Sequence, residues 1–201
     1  MNGKAYLVGA GPGRADLITE RGLSVLKQAD VVLYDRLIAQ ALLDRARVGA
    51  KMIFVGKRPG HHPKPQPEIN RLLQKLVSNG QKVVRLKGGD PFVMGRGGEE
   101  ALALSEMGLD VEFVPGVTSA LAVPAYAGIP VTQKNLAESF AVVTGYEDPT
   151  KPYQTNDWRG LAHVDTLVVL MATKRSAEVC EKLIAQGRSP QTPAAAISRG
   201  T

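Results

Sequence analysis

Four segments of the chain contain ionisable side chains, glycines that let a ligand approach the backbone closely, or both. They are GAGPG at 9–13, YDRL at 34–37, GKRPGHHPKPQP at 56–67 and KGGDPFVMGRGGEE at 87–100. The carboxylates in these segments can transfer protons, and the lysines, arginines and histidines can bind an anionic ligand. Together the segments predict a binding cleft that supports acid–base chemistry.

Taken one at a time, the segments have simpler explanations. Glycine, aspartate and proline dominate tight turns, and Asp35 after a strand can cap the following helix. Two adjacent histidines among prolines are typical of a solvated loop, and no cysteine or nearby carboxylate completes a zinc-like set, so no metal is expected. The predicted cleft therefore depends on all four segments meeting at one edge of a sheet.

The segment GAGPG partly matches the glycine fingerprint of dinucleotide-binding proteins, G-x-G-x-x-G. Its sixth position is Arg14 instead of glycine, and Pro12 removes one N–H group from the turn that would hold the phosphates. A nucleotide site is thus an alternative that the residues favour only weakly.

Apolar runs alternate with helical patterns along the first half of the chain, which predicts a parallel, doubly wound α/β sheet. The predicted strands are 5–8, 31–34, 52–55, 82–86 and 110–114, and the predicted helices are 19–29, 37–46, 66–80 and 99–108. Each of the four segments follows one of these strands. Because parallel strands deliver their carboxyl ends to one edge, the segments are expected to share one rim.

Proline and glycine punctuate residues 115–132, where Pro124 is expected to interrupt a helix. This junction predicts an N-terminal α/β domain over 1–115 and a C-terminal α/β domain over 116–201. The second domain is predicted to have strands at 140–145, 166–172 and 194–198, a polar loop at 145–160 and a helix at 173–186. It is short for a self-sufficient α/β domain, so we expect it to be incomplete.

The composition is that of a globular protein, because 44% of the 201 residues are hydrophobic and 22% are charged. No apolar run approaches the length of a membrane span, so no membrane partner is expected. The single cysteine excludes an internal disulfide and favours a cytoplasmic location. The net charge of +6 indicates an anionic partner without identifying it.

The segments VGAGPGRADLIT, ADVVLYDRLI, VGKRPGHHPKPQPEIN, VVRLKGGDPFVMGRGGEE and PGVTSALAVPAYAGIPVT resemble, in this order, the tetrapyrrole methylases. The similarity is greatest to the branch that methylates uroporphyrinogen III; it covers nearly all of residues 4–146 and continues more weakly to Thr201. It implies the tetrapyrrole methylase fold, with two α/β domains and the active-site cleft between them. It also implies two successive methyl transfers from S-adenosyl-L-methionine to uroporphyrinogen III, giving precorrin-2 and S-adenosyl-L-homocysteine.

The resemblance also implies roles for individual residues. Asp35 would be the proton acceptor and Lys57 the proton donor, with Arg96 and Glu99 acting around the substrate and in proton removal. The methyl-donor site would comprise Pro12, Gly88, Gly89, Asp90, Val93, Thr118, Ser119, Met171 and Gly200. Members of the family often have histidine where this chain has Tyr146, which leaves the contact made there undetermined.

The implied substrate carries eight carboxylates, which gives the basic residues near the rim an anionic partner. The candidate substrate-binding residues, besides Lys57 and Arg96, are Arg36, Arg58, His61, His62 and Lys64. The family resemblance further implies a homodimer and no nucleic-acid partner. The alternatives are an RNA ribose methylase of the same fold, which the basic charge favours, a nucleotide-binding oxidoreductase or regulatory module, and a non-catalytic domain whose glycines only shape turns.

Overall fold

The computed structural model describes residues 3–56, 65–146 and 156–201. The chain divides into two compact units, 1–119 and 120–201. The functional division into domains 1–115 and 116–201 stays a prediction. None of the helices in the described ranges is both long and apolar enough to cross a bilayer.

The first unit is built on a parallel five-stranded sheet of order β3-β2-β4-β1-β5. Its strands are β1 (Lys4–Gly9), β2 (Val31–Tyr34), β3 (Lys51–Phe54), β4 (Lys82–Lys87) and β5 (Val111–Val114). Its helices are α1 (Glu20–Leu26), α2 (Gln40–Leu43), α3 (Gln66–Ser78) and α4 (Gly97–Ser105), and a short 3₁₀ turn covers Ala15–Leu17. The predicted doubly wound sheet is confirmed.

Side chains that alternate along the strands fill two separate cores, one on each face of the sheet. On one face, Val32 and Val84 pack with Val25 and Leu26 of α1. On the other face, Leu33 and Val83 pack with Leu73 of α3 and with Leu104, a residue of α4. Both faces are therefore covered, which leaves the carboxyl edge as the place where polar side chains of the loops can gather.

Two helices of the first unit differ from their predicted lengths. The helix predicted at 37–46 is reduced to the single turn Gln40–Leu43, whose buried residues are Leu42 and Leu43. The helix α4 begins at Gly97 instead of 99, so two glycines expected in a loop form its first turn. Glu99 and Glu100 therefore lie in the first turn of the helix instead of at its first two positions.

The second unit contains a two-stranded parallel sheet with its own small core. Its elements are α5 (Ser119–Tyr126), β6 (Phe140–Thr144), α6 (Trp158–Leu161), β7 (Thr166–Leu170) and α7 (Ser176–Ala185). Trp158, Val179 and Leu183 are its largest buried side chains. The short helix α6 lies within a stretch predicted to be a polar loop, and burial of Trp158 explains it.

Two predictions for the second unit are wrong. Residues 194–198 are exposed and form no strand, because this alanine-rich run has weak β-propensity and pairs with no described strand. Pro124 lies inside α5 instead of interrupting it. Pro124 is the sixth of the eight residues of α5, so the helix lacks the N–H donor of that residue but continues past it to Tyr126.

Candidate functional site

All five parallel strands of the first unit end at one edge of its sheet, and the segments that follow β1, β2 and β4 start at this edge, as the sequence predicted. The neighbours β1 and β4 lead away in opposite directions, β1 toward β2 and β4 toward β5. This is a topological switch point, the position at which open α/β sheets bind ligands. The loops GAGPG and KGGD both start there.

The loops after β1, β4 and β5 contact one another through the backbone atoms of glycines. Gly89 donates its N–H to the carbonyl oxygen of Gly11 at 2.7 Å, and Gly11 donates to Gly89 at 3.2 Å. A Cβ atom on Gly9 would lie 2.6 Å from the carbonyl oxygen of Gly89 and would also collide with Gly116. Three of these glycines, Gly9, Gly89 and Gly116, form what we call the glycine contact. Packing of the loops requires glycine at 9 and 116, and the positive φ of Gly89 favours glycine there, whatever the ligand.

Gly88 differs from these glycines because no contact with a described residue requires it to be glycine. The nearest atom to a Cβ placed there is the Cβ of Leu37, at an ordinary 3.7 Å. Its backbone is not in the left-handed region, whereas Gly89 has a φ of +66°. The bare backbone at Gly88 is thus free to face a ligand at the switch point.

Asp90 is held by two backbone groups. Its Oδ1 accepts from the N–H of Phe92 at 2.8 Å, and its Oδ2 accepts from the N–H of Gly116 at 3.1 Å. The carboxylate therefore fixes its own turn and ties it to the loop after β5. Each oxygen keeps a lone pair for a ligand donor. Four other predicted donor-site residues of this unit, Pro12, Val93, Thr118 and Ser119, are partly exposed.

Arg96 and Glu99 pair at the start of α4. The guanidinium donates from Nε and Nη2 to the two carboxylate oxygens, both at 2.7 Å. These hydrogen bonds lower the pKa of Glu99 below its usual range. Arg96 has a φ of 57°, in the left-handed region that disfavours residues with a Cβ. Strain of this kind persists where the surrounding structure holds a side chain in a required place.

Asp35 follows β2, and its carboxylate binds a residue that the sequence analysis missed. Oδ1 of Asp35 accepts from Nη2 of Arg85 at 2.7 Å. Arg85 also donates from Nε to Oε1 of Glu100 at 2.9 Å, and Lys87 donates to Oε2 of the same glutamate at 2.9 Å. We call Asp35, Arg85, Glu100 and Lys87 the charge chain, since negative and positive groups alternate along it.

The charge chain had a signal in the sequence. The strand KVVRLK places Arg85 and Lys87 on one face, two residues apart, in a strand that is buried from Val83 onward. A cation inside a buried strand needs an anionic partner, because an unpaired buried charge is very costly. Burial lowers the pKa of Lys87, the nearby positive charge of Arg85 adds to this effect, and Glu100 opposes it.

The second unit holds the remaining described candidates. Met171 follows β7 with a φ of 60° and is exposed, which is the same left-handed strain seen at Arg96. A Cβ on Gly200 would lie 2.6 Å from Val123 Cγ1, so packing within this unit already favours glycine there. Tyr146 lies under the guanidinium of Arg175, 5.8 Å from the ring centre, and is itself exposed.

Several predicted site residues lie outside the described ranges. They are Lys57, Arg58, His61, His62 and Lys64. Within the described ranges, the first unit brings Asp35, Arg96 and Glu99 to its carboxyl-edge loops, as predicted. Arg36 also lies there and is exposed. No cluster of three or more potential metal ligands occurs among the described residues.

The sequence profile of the tetrapyrrole (corrin/porphyrin) methylases matches residues 4–201. A uroporphyrinogen-III C-methyltransferase from Methanobacterium ivanovii is 53% identical over 98% of this chain, which covers 83% of that protein. Siroheme synthase 1 from Pectobacterium atrosepticum is also 53% identical, over 99% of this chain. The chain spans 41% of the length of that synthase.

Solved structures also resemble this chain in fold. The crystal structure of uroporphyrin-III C-methyltransferase from Thermus thermophilus in complex with S-adenosylhomocysteine has a TM-score of 0.79 and 45% identity. The match covers 94% of this chain and 74% of that one. Diphthine synthase, at 20% identity and a TM-score of 0.60, shares the fold alone.

Proposed function

Because this chain belongs to the tetrapyrrole methylase family, we propose that it is the methyltransferase unit of a uroporphyrinogen-III C-methyltransferase. It would transfer two methyl groups from S-adenosyl-L-methionine to uroporphyrinogen III, giving precorrin-2 and S-adenosyl-L-homocysteine. The observation that carries the proposal is the 53% identity to the Methanobacterium ivanovii enzyme, over nearly the whole of this chain and most of that protein. Relatives named siroheme synthase support a place in sirohaem biosynthesis.

The methyl-donor site proposed here keeps the nine residues implied by the family. They are Pro12, Gly88, Gly89, Asp90, Val93, Thr118, Ser119, Met171 and Gly200. The unexplained bare backbone at Gly88 supports this assignment, because the donor can lie against it without displacing a side chain. Asp90 keeps acceptor capacity for a hydroxyl or amino group of the donor, even with both oxygens bonded to the backbone.

The substrate proposal follows from charge. Uroporphyrinogen III presents carboxylates around a macrocycle, and charge-assisted hydrogen bonds to such groups contribute about 1.5–3 kcal/mol each. The basic residues proposed to bind them are Arg36, Arg58, His61, His62, Lys64 and Arg96. The exposure of Arg36 at the end of β2 is consistent with this role.

S-Adenosyl-L-methionine supplies an electrophilic methyl group on a sulfonium sulfur. A reduced pyrrole carbon is electron-rich and forms the new C–C bond as the S–C bond breaks. The alkylated ring is then an iminium-type cation that must lose a proton. We assign Asp35 as the acceptor of that proton and Lys57 as a proton donor, with Arg96 and Glu99 beside the substrate. The described contacts of Asp35 leave its Oδ2 available to receive the proton.

Alignment contributes more than proton transfer to a reaction of this kind. Holding carbon, methyl and sulfur in line is worth up to about 7–11 kcal/mol. A positioned base contributes about 10²–10⁴-fold, which corresponds to about 3–5 kcal/mol. Loss of the base should therefore slow turnover without abolishing it. We further propose that the protein acts in the cytoplasm as a homodimer.

The direct test is an anaerobic assay of the purified protein with uroporphyrinogen III and S-adenosyl-L-methionine, followed by mass spectrometry and absorbance. The proposal expects two added methyl groups and the precorrin-2 spectrum. An unchanged substrate mass would overturn it. Binding to RNA with a steep salt dependence, together with no binding of the porphyrinogen, would support the RNA methylase instead.

Gly88→Ala tests the donor site separately from the chemistry. The protein has room for the added methyl group, so the melting temperature should stay the same while S-adenosylhomocysteine binds at least about tenfold more weakly, a loss of 1.4 kcal/mol. Gly98→Ala is the matched control, because a Cβ there meets no described atom within 4 Å. Equal donor affinity in both variants would place the donor elsewhere.

A further inference from the structure

The buried face of β4 carries two cations that the proposed reaction does not use. Arg85 and Lys87 alternate with Leu86 along the strand, so both side chains lie on the face covered by α3 and α4. Their side chains are 3% and 4% exposed, and Glu100 between them is fully buried. Gln66 at the start of α3 donates a further hydrogen bond to Oε1 of Glu100 at 3.1 Å.

This burial is not explained by stability. Replacing a buried ion pair with well-packed apolar residues is often neutral or stabilising, since desolvation of the two charges offsets their attraction. The surrounding core of leucine and valine could accommodate such residues. A buried ion pair that adds no stability is a candidate for a functional role.

Only the outer end of the charge chain reaches the carboxyl-edge loops. Arg85 lies opposite Leu33 in the register of β2 and β4, and its guanidinium extends to Asp35 just after β2. The side chain of Asp35 is 32% exposed, whereas the three groups behind it are almost fully buried. Asp35 is thus the one accessible member of an otherwise buried set.

Arginine suits this place because its planar guanidinium donates in fixed directions. Nε donates to Glu100 and Nη2 donates to Asp35. The position of the Glu100 carboxylate therefore constrains the direction in which the guanidinium donates to Asp35. Lys87 and Gln66 in turn fix Glu100 through its two oxygens. The position of Asp35 is therefore set by α4 as well as by its own loop.

We propose that Glu100 is a positioning residue for the proton acceptor Asp35 and acts through Arg85, an inference that rests on the proposed function. Glu100 makes no contact with Asp35 and takes no part in the proton transfer. It holds the guanidinium in the orientation that keeps Oδ1 of Asp35 bonded and Oδ2 available to the substrate. Lys87 balances the charge of Glu100.

The test compares kcat, KM and donor affinity for Glu100→Gln, which removes the charge with little change of shape. We expect kcat to fall at least about tenfold, since an error of about 1 Å in a reacting group can cost about 10²-fold. The KM for uroporphyrinogen III and the Kd for S-adenosylhomocysteine should stay within about twofold, in line with a loss confined to the reacting geometry. Glu106→Gln, just beyond the end of the same helix, is the matched control and should retain kcat.

A second variant separates positioning from folding. Lys87→Met/Glu100→Met removes one cation and one anion together, so the buried charges remain balanced and folding is retained. Arg85 still loses the partner of its Nε atom, and kcat should stay at least about tenfold low. Wild-type kcat in this folded double variant would show that Glu100 is only a counter-ion and would overturn the inference.

Two further results distinguish a failure of this inference from a failure of the proposed function. If the wild-type protein adds no methyl groups, the proposed function fails. A crystal structure of the double variant then tests the positioning by itself, because the distance from Arg85 Nη2 to Asp35 Oδ1 should increase beyond hydrogen-bonding range. An unchanged distance would overturn the positioning role.

Discussion

Glu99 and Glu100 are adjacent on α4, and each forms an ion pair with arginine, yet their surroundings are opposite. Glu99 binds Arg96 in a pair whose side chains are 52% and 58% exposed. Glu100 binds Arg85 in a pair whose side chains are 0% and 3% exposed. The helix turns one carboxylate toward the loops and the next toward the sheet.

An arginine–glutamate pair therefore has one role when it is exposed and another when it is buried. An exposed pair is solvated with or without its partner, so it contributes little to stability and is free to contact a ligand. A buried pair cannot lose one member without leaving an unpaired charge in the core. Each of the following predictions compares the two settings.

The largest effect is expected for Glu100→Met, which leaves Arg85 and Lys87 without their shared anion. The free energy of unfolding should fall by about 3–5 kcal/mol, measured by urea denaturation with far-ultraviolet circular dichroism. Glu99→Met is the matched control on the neighbouring residue and should cost no more than about 1 kcal/mol. Equal losses in the two variants would contradict the comparison.

An intermediate effect is expected for Asp90→Ala. The carboxylate accepts from two backbone N–H groups in a partly buried loop, and hydrogen bonds to charged groups contribute about 1.5–3 kcal/mol. We expect a loss of about 2 kcal/mol in the free energy of unfolding, because water replaces part of the bonding. Asp44→Ala, on an exposed aspartate just after α2, is the control and should be nearly neutral.

A smaller effect is expected when the buried ion pair is removed as a whole. In Lys87→Met/Glu100→Met the free energy of unfolding should change by no more than about 1 kcal/mol, since the charges of the core remain balanced. This variant should therefore recover most of the stability that Glu100→Met loses. A double variant as unstable as the single one would mean that Arg85 alone requires Glu100.

The smallest effect is expected for the exposed pair, and it should depend on pH. The pKa of Glu99 is lowered in the folded protein by its hydrogen bonds from Arg96. Its contribution is therefore present above the ordinary glutamate pKa of 4.5 and is lost as the pH falls through the folded value. Wild type should exceed Glu99→Gln by no more than about 1 kcal/mol at pH 7 and converge with it in acid.

High salt should affect the stability contributions of the exposed and the buried ion pair differently. Addition of 1 M NaCl reduces the Debye length to about 3 Å and should remove the difference between wild type and Glu99→Gln at pH 7. The stability loss of Glu100→Met should persist in the same salt, because buried charges are screened much less.

The sequence was most informative where the strands are buried on both faces. All five strands of the first sheet were predicted within a few residues, since continuous apolar runs such as VVLY mark central parallel strands. It was least informative in the second unit, where 194–198 resembles a strand but finds no partner. Pairing is a tertiary property that an alanine-rich run does not encode.

The candidate site was predicted only at its outer surface. Asp35, Arg96 and Glu99 were identified because they lie in segments that follow strands and that resemble motifs of the family. Arg85 and Glu100 were missed, because the partners of Arg85 lie on other elements, 15 and 50 residues away in the chain, and spacing within one segment does not indicate them. The correct signal was a cation inside an apolar strand, which predicts an anionic partner without saying where it lies.

The glycine contact has a consequence for anyone who recombines such proteins. Because Gly9, Gly89 and Gly116 touch through bare backbone, the three loops that carry them behave as a single interlocked part. A chimera that takes only one of these loops from a distant homologue contains a backbone contact whose geometry depends on two loops that were not transferred. We therefore expect chimeras to fold when all three loops are transferred together and not when only one or two are transferred.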